Sequence, residues 1–405
     1  MKWRLRLMML FEYAIWGAWY VTVSTWLGKT LHFSGQEIGA VAGTTAIGAL
    51  ISALFVGLLA DRLFDTRGVL AVLHIVGAVL LVVAAQQHTF AVIYTVLLVY
   101  SLCYMPTLAL TTSLAMRHIS DPREEFGAIR VFGTLGWIVV GLAVGTWGVE
   151  ATASPLLLAA ALSVVMAVYC LSLPATPPLA RNQRFELRHA LPLESLHLLR
   201  DRSMAVFALA SFLICIPLQF YYAFTNLFLN EIGVVNAAGK MTGGQMSELF
   251  CMLLIPWFFR RLGVKYMLAV GMLAWVVRYA MFAFGGTDQL MWMLWLGIIL
   301  HGICFDFFFV VGQIYIDREA PSALRAATQG LITFLTYGLG MFVGSWLSGW
   351  VVDVNSSTVA QGIVVHDWHA IWLIAGGCAA VVLVLFVLLF KDRRAEASSP
   401  VATTA

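Results

Sequence analysis

Five charged side chains stand where an otherwise apolar sequence should not hold them: Glu12, Arg130, Glu248, Arg278 and Asp306. A charge at the centre of a lipid bilayer costs at least ~2.5–3.5 kcal/mol on insertion scales, so each calls for a functional or paired reading. Arg130, Thr134 and Trp137 are spaced i, i+4, i+7 and share one helical face. A guanidinium, a hydroxyl and an indole on one face suit a polar, aromatic ligand; the competing reading has Arg130 snorkelling to an interface and Trp137 packing. Gln245 and Glu248 lie one turn apart. A carboxamide beside a carboxylate can pair with sugar hydroxyls or a base edge. A carboxyl taken out of water is also suited to carrying a proton, and the alternative is a structural bond between helices.

His301, Phe305 and Asp306 precede a run of three phenylalanines. Phe305 can stack on a ring or simply pack, and His301 can touch a ligand or join two helices. Asp306 has no structural reason to be there unless paired, which makes it the first choice for a coupling proton. Gln219 and Tyr222 lie one turn apart, with Asn226 a further turn along, and Pro217 before them should kink or interrupt their helix. Glu12 shares a face with Trp16 and Trp19; it is read either as a second proton site or as one half of a salt bridge to an arginine. Arg278 reads as a structural pair or an interfacial residue.

These residues need a scaffold, and composition says which solvent it faces. The 405 residues are 61% hydrophobic and only 11% charged, against roughly 25% charged in soluble chains. Mean hydropathy is +0.88. The chain needs a bilayer, with membrane lipid as its surroundings. A net charge of +3 is too small to suggest nucleic acid. The six cysteines are scattered through apolar runs, which excludes a disulfide scaffold and a zinc site. No Walker-type phosphate loop is present, and no cofactor is implied.

A spanning helix takes about 20 mostly apolar residues. That ruler gives twelve segments near 7–27, 38–60, 68–86, 90–116, 126–148, 153–173, 204–229, 241–259, 265–285, 289–314, 326–352 and 369–390. Of the 24 lysines and arginines, only Lys29 and Lys240 fall in the loops on one side, and Arg130 and Arg278 fall inside spans. All the others lie opposite, so both termini are expected in the cytoplasm. The expected division is a six-helix half at 1–174, a cytoplasmic linker at 175–203, a second half at 204–391 and a disordered tail at 392–405. Spans five and eleven carry glycines at matching places: Gly133, Gly136, Gly141 and Gly145, then Gly338, Gly340, Gly344 and Gly349. Small residues at such spacing let helices approach closely.

Gly57-Leu58-Leu59-Ala60-Asp61-Arg62 followed by Arg67 resembles the loop motif of the major facilitators. Phe11 to Trp19, Tyr104-Met105-Pro106-Thr107, Ile129 to Gly136, Gly302 to Phe308, Arg325 to Gly330 and His366-Asp367-Trp368 are similar to segments of something narrower, the bacterial nucleoside:proton symporters. The resemblance runs along almost the whole chain. It implies an all-α integral membrane protein of the major facilitator fold, working by alternating access between two six-helix halves. It implies proton-driven uptake of purine or pyrimidine nucleosides across the bacterial inner membrane, by a monomer that is not an enzyme.

The resemblance also assigns residues. Arg130 and Thr134 match nucleoside contacts, an aromatic matches Trp137, and Gln219, Gln245 and Glu248 fall at substrate positions. Departures are Tyr222, where some members have an amide; His301, where enteric permeases have a tyrosine; and Glu12, where an uncharged amide occurs. Phe305 and Asp306 complete the expected substrate set, with Asp306, Glu248 and Glu12 as proton-coupling candidates. Asp61, Arg62 and Arg67 are expected to gate the cytoplasmic side. The departures leave open a carrier of another polar solute, such as a sugar or a muropeptide-like compound. A membrane enzyme lacks a nucleophile or metal constellation in the sequence, a sensor lacks a signalling domain, and a passive channel has no use for buried carboxylates.

Overall fold

The computed structural model describes residues 1–55, 64–178, 193–358 and 364–392. These residues form a nearly all-helical bundle built from α1 (Lys2–Trp19), α2 (Gly35–Phe55), α3 (Thr66–Ala85), α4 (Phe90–Arg117), α5 (Pro122–Trp147), α6 (Ser154–Cys170) and α7 (Arg202–Glu231). There follow α8 (Ala237–Phe284), α9 (Asp288–Glu319), α10 (Arg325–Val354) and α11 (Trp368–Leu389). Among the described residues, eight helices are long and apolar enough to cross a membrane. Asp61 and Arg62 lie outside the described residues, as do most of the expected linker and the tail from residue 393.

Local chemistry explains most of the helix starts. Asp65, Asp201 and Asp367 cap α3, α7 and α11 by accepting backbone N–H bonds of 3.0 Å. Ser34 and Glu37 form a reciprocal capping box at the start of α2, with bonds of 3.2 and 2.9 Å. The 48 residues of α8 would measure on the order of 70 Å if straight, far more than a bilayer needs. The chain folds back at Gly263, whose φ of 67° only glycine adopts cheaply, giving two arms at 237–262 and 264–284.

Three helices carry π-helical turns: Trp26–Thr30 beyond α1, Asp306–Val310 within α9 and Phe334–Gly340 within α10. Such turns are frequent at functional sites. The expected interruption at Pro217 is absent, and α7 runs through it from Arg202 to Glu231. The carbonyl of Pro217 accepts the Tyr279 hydroxyl from the second arm of α8. A two-stranded sheet, Ser356–Thr358 against Val364–His366, was not foreseen in the sequence. It brings His366 to 2.9 Å and Trp368 to 2.8 Å from Glu231 at the end of α7.

The helices pack as two groups with the same internal pairing. In the first, α1 lies against α5 and α6, and α4 against α2 and α3; in the second, α7 lies against α10 and α11, and α8 against α9 and α11. The groups meet along two seams, α2 with α10 and α5 with the first arm of α8. Glycine makes both seams possible. A Cβ on Gly349 would sit 2.5 Å from the Gly35 carbonyl oxygen, and one on Gly145 would sit 2.4 Å from the Gly239 nitrogen.

One end of both seams is tied by a reciprocal pair of carboxylates. Glu150, after α5, is buried and accepts from the backbone N–H of Ala238 in the first turn of α8 (3.0 Å), and from Asn226 (2.8 Å) and Asn230 (2.7 Å) of α7. Asp353, near the end of α10, accepts from Gly35 N (2.5 Å) and Gln36 N (2.9 Å) in the first turn of α2. Each carboxylate thus complements the positive end of a helix in the other group. Thr25 adds a bond to Asn226 of 2.5 Å, and Lys29 reaches the Asn230 carbonyl at 3.3 Å. The opposite end carries the basic residues, where Arg4, Arg67 and Arg117 reach carbonyls of Ser172, Leu173 and Pro177.

Candidate functional site

Between the two groups lies a cavity of about 360 Å³, within the range of small-molecule sites. Seven aromatic side chains stand in its wall. From the first group come Tyr13, Trp16 and Tyr20 of the α1 stretch and Trp137 of α5; from the second come Tyr222, Phe305 and Tyr337. Their rings touch in sequence around the space. Trp16 meets Trp137 and Tyr20 at 5.5 Å, Tyr20 meets Tyr222 at 6.0 Å, and His301 meets Tyr222 at 6.2 Å and Phe305 at 5.8 Å. Such a girdle suits a flat ring held on both faces and edges.

The charged and amide groups of the wall come from both helix groups, on the two helices of one seam. Arg130 and Thr134 project from α5, and Gln245 and Glu248 from the first arm of α8. The Arg130 guanidinium lies over the Tyr13 ring at 3.9 Å from its centroid, which fixes its plane while leaving its edge N–H groups usable. The wall therefore offers cationic donors on one side and a carboxylate with a carboxamide on the other.

Eight of the ten expected substrate residues line this cavity: Arg130, Thr134, Trp137, Tyr222, Gln245, Glu248, His301 and Phe305. Two do not. Gln219 is fully buried one layer behind Tyr20, and its amide nitrogen donates to Ser345 Oγ (3.0 Å) and to the Tyr20 hydroxyl (3.4 Å). Helical spacing placed it on the face of Tyr222; the neighbouring α10 takes up the amide instead. Asp306 follows the wall residue Phe305 and begins the π turn, but points away from the cavity. It is 0% exposed, and both carboxyl oxygens lack a hydrogen-bond partner among the described residues. An unpartnered carboxyl in a dry place costs least as the neutral acid.

The remaining candidates are also placed. Glu12 is buried away from the wall, and among the described residues it pairs with no arginine. Its carboxylate contacts His74 Nε2 (3.1 Å) and accepts from Thr107 (2.6 Å), while its backbone carbonyl accepts the Tyr104 hydroxyl. The expected arginine partner is thus replaced by a histidine of α3. Asn226 belongs to the tie around Glu150 and not to the cavity. Arg278 is fully buried behind the wall, with Nη1 3.1 Å from His301 Nδ1. Arg67 lies 3.6 Å from Asp65 and stays within the first helix group.

Sequence reasoning passed over Tyr13, Tyr20, Thr45, Thr333 and Tyr337 on the wall, and His74 and Glu150 off it. Thr333 and Tyr337 lie one turn apart in a glycine-rich helix, a polar pair whose spacing is a usable signal. Glu150 sits in a short turn, where an acidic residue carries no signal of its own.

Comparison with known proteins gives the family and the fold. The family described as nucleoside H+ symporter matches residues 1–395. The chain is 41% identical to the candidate nucleoside transporter YegT of Escherichia coli (strain K12), over 96% of this chain and 93% of that one. It is 33% identical to the xanthosine permease of the same organism, over 96% and 95%. The crystal structure of nucleoside transporter NupG superimposes with a TM-score of 0.87 at 31% identity, covering 96% of this chain and 99% of that one. These relatives are permeases and transporters by name, not enzymes, and they are multi-pass membrane proteins of the same helical architecture. With a match along nearly its full length, the chain belongs to the nucleoside H+ symporter family.

Proposed function

We propose that this protein takes up nucleosides across the bacterial inner membrane, driven by proton entry, as a monomer of twelve spanning helices with both termini in the cytoplasm. The two helix groups are then the rocking halves, 1–174 and 204–391, joined by the 175–203 linker. The single observation that carries the reading is the cavity itself. It is a girdle of rings sized for a nucleoside, with Arg130 and Thr134 from one helix group and Gln245 and Glu248 from the other, and next to Phe305 in the chain a buried carboxyl, Asp306, with no hydrogen-bond partner among the described residues.

The rings of Trp137, Tyr222 and Phe305 would hold the base, and the polar groups would satisfy its edge and the sugar hydroxyls. Gln219 would support the site through Tyr20 in this conformation. The tie at Glu150 and Asp353 closes one end, so substrate and solvent would communicate with the cavity from the basic, cytoplasmic end. Outward opening would require that tie to release and the basic end to close, with Asp61, Arg62 and Arg67 helping to hold it shut.

Coupling follows from the electrostatics of burial. A proton on Glu248 or Asp306 removes a charge that would otherwise have to cross the bilayer centre when the halves rock. Each proton moving down 100 mV supplies ~2.3 kcal/mol, equivalent to roughly a 50-fold concentration ratio. Glu12, closed in by His74 and Thr107, fits a structural pair better than a carrier. The test is uptake of labelled uridine and adenosine into proteoliposomes with and without an imposed pH gradient. Gradient-dependent accumulation of either supports the reading; no uptake under any gradient overturns it.

A further inference from the structure

We infer that Arg278 fixes the tautomer of His301 and makes that ring a permanent hydrogen-bond donor to the bound nucleoside. The inference rests on the nucleoside reading above and adds a specificity residue and its positioning partner. Arg278 Nη1 lies 3.1 Å from His301 Nδ1. A guanidinium has only donors, so Nδ1 must be the acceptor of this pair. The ring proton is then on Nε2. A second proton on Nδ1 would set N–H against N–H and cation against cation.

The clamp is rigid. The Arg278 guanidinium lies over the Tyr221 ring at 3.4 Å from its centroid, and Tyr221 stacks on His301 at 5.2 Å with a 24° tilt. Both Arg278 and Tyr221 are buried. Among the described residues no carboxylate lies within ion-pair distance of Arg278. The imidazole is therefore what this buried cation is aimed at.

The free edge of the ring faces the ligand. His301 lines the cavity, and Nε2 meets no protein partner among the described residues. The groups around His301 are Arg278 from the second arm of α8, Tyr221 and Tyr222 from α7, Glu248 from the first arm of α8, Tyr337 from α10, and Cys304 and Asp306 on its own helix. Glu248 and Asp306 can change charge as protons pass; His301, held by Arg278, keeps one proton on one nitrogen throughout. It reads an acceptor on the nucleoside, a base carbonyl or ring nitrogen or a sugar oxygen, and takes no part in proton traffic.

The experiment measures nucleoside Kd against pH, without a gradient, on purified full-length protein in nanodiscs, using uridine, adenosine and their 2′- and 3′-deoxy analogues. In His301→Gln, whose amide also donates, the curve should keep the wild-type shape and shift as a whole. In His301→Phe binding should weaken about tenfold, one hydrogen bond's worth. An analogue that already lacks the acceptor should lose nothing further, which separates a sugar from a base contact. Arg278→Met should change the shape of the Kd–pH curve, and Arg278→Met with His301→Gln should restore it.

If His301→Gln deletes an ionisation present in the wild type, or if folded Arg278→Met binds with the wild-type profile, the inference is wrong while nucleoside binding stands. Should Arg278→Met not fold, the His301→Gln comparison still decides. If the wild type binds none of these nucleosides at any pH, the functional reading and this inference fall together.

Discussion

Replacing Glu150 by alanine should open the end of the molecule that the two carboxylates close. Glu150 accepts three N–H groups, from Ala238, Asn226 and Asn230, at 2.7–3.0 Å. Hydrogen bonds to charged groups contribute about 1.5–3 kcal/mol each, but water replaces these donors when the end opens, so about 1 kcal/mol apiece is the usable figure. The sum, about 3 kcal/mol, is a factor of roughly 150 in the closed-to-open equilibrium. A carrier resting at about 99:1 closed would move to about 40:60. Glu150→Gln keeps one acceptor oxygen and should fall between. The assay is electron–electron distance measurement between spin labels at Thr152 and Val235, both exposed and on opposite sides of the closed end. Cys103 and Cys378, the cysteines that are not buried, are replaced first. A long-distance population growing in the order wild type, Gln, Ala is expected. An unchanged distance distribution in Glu150→Ala would refute the reasoning, because the tie would then hold nothing across the seam.

Other outcomes follow from the same geometry. Asp306→Asn preserves shape and removes the proton; it should still exchange nucleoside for nucleoside but lose gradient-driven accumulation, so the ratio of inside to outside label falls from roughly 50 to about one at 100 mV. Retained accumulation would return the coupling role to Glu248. Glu12→Gln removes the carboxylate that contacts His74 and accepts from Thr107, where hydrogen bonds to a charged group contribute about 1.5–3 kcal/mol each; thermal melting in detergent should drop while the number of protons carried per nucleoside, measured by reversal potential, stays the same. A lower proton count would make Glu12 a carrier. Arg130→Lys keeps the charge but loses the flat contact with Tyr13 and the forked donors. Nucleoside Kd should rise about tenfold with melting temperature unchanged, and an unaltered Kd would remove Arg130 from the substrate site.

Much of this site was legible in the sequence, and the reason is the solvent. In a bilayer a polar side chain on an apolar helix stands out against its background, so Arg130, Glu248 and Asp306 announce themselves, and helical spacing groups Thr134 with the first and Gln245 with the second. Spacing gives a shared face without its direction. That is why Gln219 was grouped with Tyr222 although the packing of α10 takes it behind the wall, and why Asn226 joined the same face although it serves the closed end. Glu12 was recognised as anomalous, but its partner His74 lies 62 positions away, and no local pattern names such a pairing. The wall tyrosines were missed for the opposite reason: aromatic residues in membrane helices are so common that those facing the cavity look like those facing lipid. Gly263 stands among Arg260, Arg261 and Lys265 with nothing local to mark it, and its left-handed backbone is what folds α8 into two arms.

The glycines of the two seams carry a consequence for speed. Where Gly35 meets Gly349 and Gly145 meets Gly239, backbone comes up against backbone, with few side chains between the helices. Interlocked side chains must change rotamer before helices can slide, and each such step adds a barrier. Bare backbone surfaces roll over one another like the race of a bearing. The carboxylate ties then set how long the closed end stays shut, and the smooth seams set how fast it swings once released. An alanine at Gly349, with its Cβ 2.5 Å from the Gly35 carbonyl oxygen, would force this seam apart and cost the closed state the smooth contact on which it turns.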